Sequence, residues 1–427
     1  MALLIKKGRV VDPASNTDEV LDILIEDERI KRIEKNISIS SAEVIDASGK
    51  VVTPGFIDMH THLREPGRED EETIESGTYA AAKGGFTTVC CMPNTSPAID
   101  EPAVVEFIYK QARKKGIVEV LPIAAITKNR EGENLSDMGK LKRAGAVAFS
   151  DDGDWVDNGD LMRRALEYAK MLNLPIISHC EDKTLTQDGV MNEGYFSTIL
   201  GLKGMPKEAE EIAVYRDLAL ARMTGSHLHI AHISTANSVR LVREAKERGV
   251  KITAEVCPHH LVLTDKEVRC LDTNTKVNPP LREEEDVKAL KEGLKNGTID
   301  VIATDHAPHS LEEKELDYTL APFGIIGLET ALSLLVKELV EEGVLSLMEL
   351  VAKLTISPAQ ILGIDRGKIA EGAKANLTIF DIKKGWKVKK EELVSKSTNS
   401  PFIGWQLPAP VEYTIMGGKV VFRRGQR

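Results

Sequence analysis

Cysteine is scarce in this chain. Five residues in 427, Cys90, Cys91, Cys180, Cys257 and Cys270, are odd in number and widely scattered, which argues against a disulfide framework and suits a reducing compartment. Long apolar runs are missing as well. No segment approaches the roughly 20 uninterrupted apolar residues that a spanning helix needs, so no membrane crossing is expected. At the start of the chain Lys6 and Lys7 follow a very short apolar run, the reverse of a secretory signal, and a cytoplasmic location is the expectation. No Lys/Arg-rich patch stands out against a formal net charge of -10, which argues against nucleic acid as a partner. An anionic small substrate would therefore need a locally positive pocket. Low-complexity tracts and short internal repeats are absent too.

What is present describes a globular enzyme-sized chain. A hydrophobic fraction of 42% with 29% charged residues is that of a soluble folded protein. The length exceeds the roughly 250 to 300 residues of a single core, unless an α/β barrel carries an appended module. Eight apolar runs recur in a regular rhythm: Val52 to Met59, Phe86 to Cys91, Val118 to Ile126, Ala146 to Phe149, Pro175 to Ser178, His227 to Ala231, Lys251 to Val256 and Asp300 to Ala303. Between them lie stretches of amphipathic helical period, among them Leu161 to Leu172, Glu208 to Met223, Ser238 to Arg248 and Glu283 to Asn296. The pattern predicts an α/β fold, a (β/α)₈ TIM-like barrel, although a doubly wound open sheet shows a similar rhythm. Short alternating strands open the chain (Leu3 to Val11, Asp22 to Glu26, Arg29 to Ile33, Ala42 to Asp46) and return near its end (Ala375 to Asp381, Tyr413 to Val421). Both ends are expected to build one small β-sandwich, from residues 1–51 and 366–427, beside a barrel of residues 52–365.

The chemistry lies at the strand ends. A strand sends residues i and i+2 to one face, so His60 and His62 can aim two imidazoles at one point. A lone His-x-His is weak, since two half-buried histidines can simply be hydrogen-bonded to neighbours. Here, however, strand four ends in Ser150-Asp151-Asp152, strand five in Ser178-His179-Cys180-Glu181, strand six in His229-Ile230-Ala231-His232 and strand eight in Thr304-Asp305-His306. In a barrel those carboxyl ends form a single face, where active sites are built. Imidazoles and carboxylates converging there are the donors that Zn²⁺ takes, with a position left for water.

These residues carry a family resemblance over nearly the whole chain. The stretches Pro54 to Arg64, Met92-Pro93-Asn94-Thr95, Phe149 to Gly153, His232-Ile233-Ser234, Asn278 to Arg282, Ala303 to His309 and Gly324 to Glu329 resemble the amidohydrolase superfamily and, within it, the class I dihydroorotases. The resemblance implies a zinc-dependent, reversible ring closure of N-carbamoyl-L-aspartate to (S)-dihydroorotate in pyrimidine biosynthesis. It implies metal positions at His60, His62, Asp152, His179, His232 and Asp305, for one or two Zn²⁺. It implies substrate contacts from His62, Arg64, Asn94, Asn278, His309 and the Phe323-Gly324 backbone. An oligomer, and association with aspartate carbamoyltransferase, are further implications.

Physical chemistry supports several of these roles. A zinc ion activates water and polarises an amide carbonyl. Asp305, a carboxylate beside it, suits the general acid/base that protonates the leaving nitrogen. Arg64 offers a planar fork for a substrate carboxylate, the bland reading being a surface ion pair. Asn94 and Asn278, each next to a proline, read equally as turn residues. His309 binds substrate or only caps its loop. Hydantoinases, dihydropyrimidinases and allantoinases resemble this chain but usually carry a metal-bridging lysine after strand four, where this chain has Asp151-Asp152 and no lysine. Asp152 is taken over Asp151 on the family pattern. Two other readings stand beside this one: an amidohydrolase acting on hydantoin or allantoin, and a non-catalytic subunit of a transcarbamoylase complex. Cys257-Pro258-His259-His260 looks metal-like, but a packing role is expected because other donors already fill a site. The polar stretch Ser310 to Ala321 is expected to be a mobile loop over the site.

Overall fold

The computed structural model describes residues 2–426, and among them eight parallel strands close into a barrel. The strands are Phe56–Thr61, Phe86–Cys91, Glu119–Ala124, Ala148–Phe149, Ile176–Ser178, Leu228–Ile230, Ile252–Val256 and Val301–Ile302. Each pairs in parallel with its successor. The first and eighth meet through a bridge between Thr61 and His306, with His62 N donating to His306 O at 2.9 Å. Buried Asp58 reinforces the seam by accepting from Thr304 N at 3.1 Å and Thr304 Oγ1 at 2.6 Å. The strands read as continuous apolar runs because helices cover one face and the barrel interior the other.

The intervening helices bury one stripe each. In Gly159–Leu172 the buried positions Met162, Ala165, Leu166 and Ala169 follow the i, i+3, i+4, i+7 spacing of a single face. Asn158 caps its start by accepting from Asp160 N and Leu161 N, and Asn173, at φ 51°, ends it in the left-handed conformation.

One expected strand divides in two. The run Val52 to Met59 breaks at Gly55: Val51–Pro54 pairs with the N-terminal strand Ala2–Asp12 and with Leu377–Phe380, while Phe56–Thr61 starts the barrel. The two chain ends thus share one hydrogen-bonded sheet. It divides at Ala2–Asp12, whose first half pairs with Ala42–Asp46 and whose second half pairs with Val51–Pro54. Leu3, Ile5, Ile23, Val52, Leu377, Ile379 and Ile415 form its core. The final strands Val411–Met416 and Lys419–Arg423 make a hairpin at Gly417-Gly418.

At Gly55 the chain passes from this sheet into the barrel, and a Cβ there would meet Thr87 Oγ1 at 2.2 Å and Thr87 Cβ at 2.8 Å. Gly55→Ala should therefore cost about 1–3 kcal/mol through overpacking. Gly159→Ala, at a helical position where a Cβ meets nothing within 4 Å, should be neutral or stabilising. Urea denaturation midpoints of the two variants check the contrast.

Candidate metal centre

Strand alternation brings His60 and His62 to the inward side of the first barrel strand, while Ile57 and Met59 cluster with Ala359 and Leu362 of a covering helix. His60 Nε2 lies 3.3 Å from Asp152 Oδ1 and 3.5 Å from Asp305 Oδ1. His62 Nε2 lies 3.0 Å from Asp305 Oδ1 and 3.5 Å from Asp152 Oδ2. Across the barrel mouth, Asp152 Oδ1 is 3.5 Å from His232 Nε2 and 3.6 Å from His179 Nδ1, and these two nitrogens are 2.9 Å apart. Two donor sets therefore share the Asp152 carboxylate. One is His60, His62 and Asp305; the other is His179 and His232.

The arrangement fits a divalent transition ion. His60 Nε2 and Asp152 Oδ1 are buried and have no hydrogen-bond partner among the described residues. Buried polar atoms are normally paired, and these two are aimed at the same point as the neighbouring donors. Backbone strain accompanies them: His232 and Asp305 hold φ of 28° and 49°, in a region that non-glycine residues seldom occupy.

A second layer sets the tautomers. His60 Nδ1 is 2.6 Å from Glu255 Oε1, His62 Nδ1 is 2.8 Å from Asn94 Oδ1, and His179 Nε2 is 2.9 Å from Glu181 Oε2. Donating its outer N–H in this way leaves each ring's inner nitrogen as a lone-pair donor. Glu255 is held in turn by His229, and Glu181 by Asn278 and Thr186. Burial opposes ionisation of Asp152 and Asp305, yet the facing histidines, His60 foremost, hold both well below the usual carboxylate range. For Glu255 burial is likewise outweighed, by His60 and His229, bringing it down to about 2. Burial works against protonated His179, but Asp152 and Glu181 raise it to about 9.

Asp151 faces elsewhere. Its Oδ1 accepts from Ile126 N at 2.8 Å and Thr127 N at 3.1 Å, so it ties the third strand's loop to the fourth, and burial pushes it up to about 6. Arg64, at φ 59°, turns towards the loop side, where its Nε lies 3.0 Å from Glu71 Oε2 and donates to Pro308 O at 3.1 Å. His309 stands beside it, with Nε2 3.3 Å from Arg64 Nη2 and 2.7 Å from Phe323 O, and Nδ1 2.7 Å from Glu71 Oε1. Gly324 has φ 135°, and a Cβ there would meet Ala307 Cβ at 2.8 Å and His309 Nε2 at 3.0 Å.

A model described as "Dihydro-orotase-like" matches residues 49–238, and one described as "Amidohydrolase family" matches 212–422. A dihydroorotase of Pelotomaculum thermopropionicum is 57% identical over 99% of this chain and 99% of its own length, and one of Geobacter metallireducens is 56% identical over 99% and 100%. The chain belongs to the dihydroorotase family. Among solved structures, an L-hydantoinase (dihydropyrimidinase) from Arthrobacter aurescens superposes with TM-score 0.90 at 28% identity, over 99% of this chain and 96% of that one. A dihydropyrimidinase from Brevibacillus agri gives 0.87 at 27%, over 100% and 96%.

Within this dihydroorotase-family site, sequence reasoning missed Glu255, Glu71 and Lys314. Glu255 carried a signal, a carboxylate inside the apolar strand Ile252–Val256. Glu71 carried none, because the acidic run Glu69 to Glu72 reads as a solvated face. The stretch Ser310 to Ala321, expected to be a mobile loop over the site, is anchored at Lys314 and Glu313 and exposed over most of its length. Buried Lys314 donates to Pro322 O at 3.0 Å and Gly324 O at 3.1 Å, and Arg68 Nη2 donates to Glu313 Oε1 at 2.7 Å. No described helix is long and apolar enough to cross a membrane.

Two outcomes are expected. Glu255→Gln keeps the shape but weakens the acceptor behind His60, and should lower Zn²⁺ affinity by about 10- to 100-fold in competition with a chelator. Because His179 is raised to about 9 and a metal takes only the neutral ring, binding must displace a proton below that pH. Zn²⁺ affinity should therefore rise from pH 6 towards pH 9, with proton release visible in calorimetry across buffers of different ionisation enthalpy.

Proposed function

We propose that the chain catalyses the zinc-dependent, reversible interconversion of N-carbamoyl-L-aspartate with (S)-dihydroorotate and water, in pyrimidine biosynthesis. The observation that carries this reading is the shared-carboxylate donor cluster with Arg64 beside it. A hydrolase acting on a cyclic amide C–N bond needs an electrophile at the carbonyl, an activated water and a proton for the leaving nitrogen. Zn²⁺, one ion or two, would be held by His60, His62, Asp152, His179, His232 and Asp305 and would supply the first two. Asp305 accepts the proton of the attacking water and returns it to the ring nitrogen as the C–N bond breaks. In the closing direction the same carboxylate runs the transfer backwards.

The substrate carboxylate goes to Arg64, whose guanidinium is a flat, permanently charged fork. His309 stands beside it, Asn94 lies against His62, Asn278 lies towards the His179 side, and the Phe323-Gly324 backbone lines the wall, its Phe323 O bonded to His309 Nε2 and its Gly324 N to Lys276 O. We place the enzyme in the cytoplasm, where its five unpaired cysteines are at home. On the family resemblance we further propose that it works as an oligomer and associates with aspartate carbamoyltransferase.

A hydantoinase-like reading is favoured by the structural relatives at 27–28% identity. Against it stand Asp152 where those families usually carry a lysine, and Arg64, which a neutral ring leaves unused. The test is hydrolysis of dihydroorotate by metal-analysed protein, with hydantoin as competing substrate. Asp305→Ala should lose a factor of at least about 10² in kcat. Arg64→Lys should raise KM about tenfold or more through loss of a charged, forked contact. Turnover of hydantoin alone, or full activity in Asp305→Ala, overturns the reading.

A further inference from the structure

A separate set of donors closes the seventh barrel strand. Ile252–Val256 runs into Cys257, and the short helix Pro258–Val262 then places His259 and His260 in the first turn beside it. All three side chains are buried, at 0, 2 and 2% exposure. One donor atom from each, the thiol sulfur and a nitrogen of either ring, lies within 4.8 Å of the other two, and the ring centroids are 4.3 Å apart. None of these residues contributes to the barrel-mouth centre.

The hydrogen bonds single out which nitrogens are free. His260 Nε2 donates to Pro279 O at 2.9 Å, which fixes the proton there and leaves Nδ1 as a bare lone pair. That Nδ1, and His259 Nε2, have no hydrogen-bond partner among the described residues. An imidazole whose outer N–H is anchored on a carbonyl while its other nitrogen is left without a partner is the usual disposition of a metal ligand. Packing alone does not explain it, because apolar side chains would fill the same volume without leaving two buried nitrogens unpaired.

We propose that Cys257, His259 and His260 form a second, independent site for a borderline-soft divalent ion, Zn²⁺ by its chemistry. Sulfur and two nitrogens at about 2.3 and 2.0 Å from the ion give three corners of a tetrahedron, and the donors reach it from their present spacing by small side-chain rotations. On binding, the Cys257 thiol releases its proton to water and coordinates as thiolate, while both rings stay neutral. The role is structural: the ion would clamp the end of strand seven, and through His260 and the Pro279 carbonyl it would steady the segment that carries Asn278.

Cobalt distinguishes this site from the other. The barrel-mouth donors are all nitrogen and oxygen, so only a cysteine ligand can give an intense near-ultraviolet thiolate-to-Co²⁺ charge-transfer band. Full-length protein carrying Cys270→Ser, which removes the exposed thiol, is stripped with chelator and titrated with Co²⁺ alone. The expected result is that band, saturating at micromolar Co²⁺, lost in Cys257→Ser together with one bound cobalt per chain. His259→Asn keeps the thiol and should weaken the band, which guards against a Cys257→Ser variant that misfolds. A fully loaded protein without the band, a band unchanged by both substitutions, or binding only at millimolar Co²⁺ overturns the proposal. The readout does not depend on turnover, so the proposed reaction and this site stand or fall separately.

Discussion

The Asp152 carboxylate is the point on which the site depends. Its Oδ1 faces His60, His232 and His179, and its Oδ2 faces His62. A buried carboxylate so far from solvent is tolerable only where positive charge surrounds it, whether from imidazolium or from a metal ion. Every other element of the centre follows from that requirement. The histidines reach it from three strands, His60 and His62 from the first, His179 from the fifth and His232 from the sixth, and Glu255, Asn94 and Glu181 anchor the outer nitrogens of His60, His62 and His179 so that the inner ones face the carboxylate.

The barrel supplies that convergence. His60 on strand one reaches Glu255 on strand seven across the interior, and Glu255 continues to His229 on strand six. The seam at Thr61 and His306, backed by Asp58 and Thr304, fixes the first strand against the eighth and so fixes His60 and His62 against Asp305. Positive φ at Arg64, His232 and Asp305 shows where the chain leaves its strands sharply enough to turn side chains inward. Such strain is held by the closed sheet on one side and the bonded loops on the other.

How much of this the sequence disclosed follows from the range of each interaction. The alternation of apolar runs and helical stretches is local, and it gave the barrel and the meeting of the chain ends. It misread Val52 to Met59 as one strand, because nothing local distinguishes the two sheets at Gly55; the distinction comes from Leu377–Phe380, more than 300 residues away. At the site, donors at strand ends were legible because residue type and strand position together restrict their use. Glu71 was not, since its partners Arg64 and His309 meet it only in the fold. Asp151 and Asp152 were inseparable by period once the strand had ended; the fold tells them apart, with Ile126 and Thr127 donating to Asp151 while Asp152 faces the histidines.

For the anionic substrate proposed above, a site rich in carboxylates poses a difficulty, which segregation of charge would answer. Asp152, Asp305, Glu255 and Glu181 stand on the strand ends among the histidines. The loop wall carries Arg64 and His309 and, around the adjoining Gly324, two buried lysines, Lys276 donating to Thr319 O and Lys314 to Pro322 O and Gly324 O. Burial pushes Lys276 down to about 8 and Lys314 to about 7, so at neutral pH this wall can still gain charge. An arriving carboxylate favours the protonated lysines, and the protonated lysines favour the carboxylate. Glu71 completes the balance: by neutralising Arg64 it keeps a largely buried guanidinium from standing unpaired. Under the proposed reading, the substrate carboxylate would compete with Glu71 for a cation already oriented, rather than having to order one.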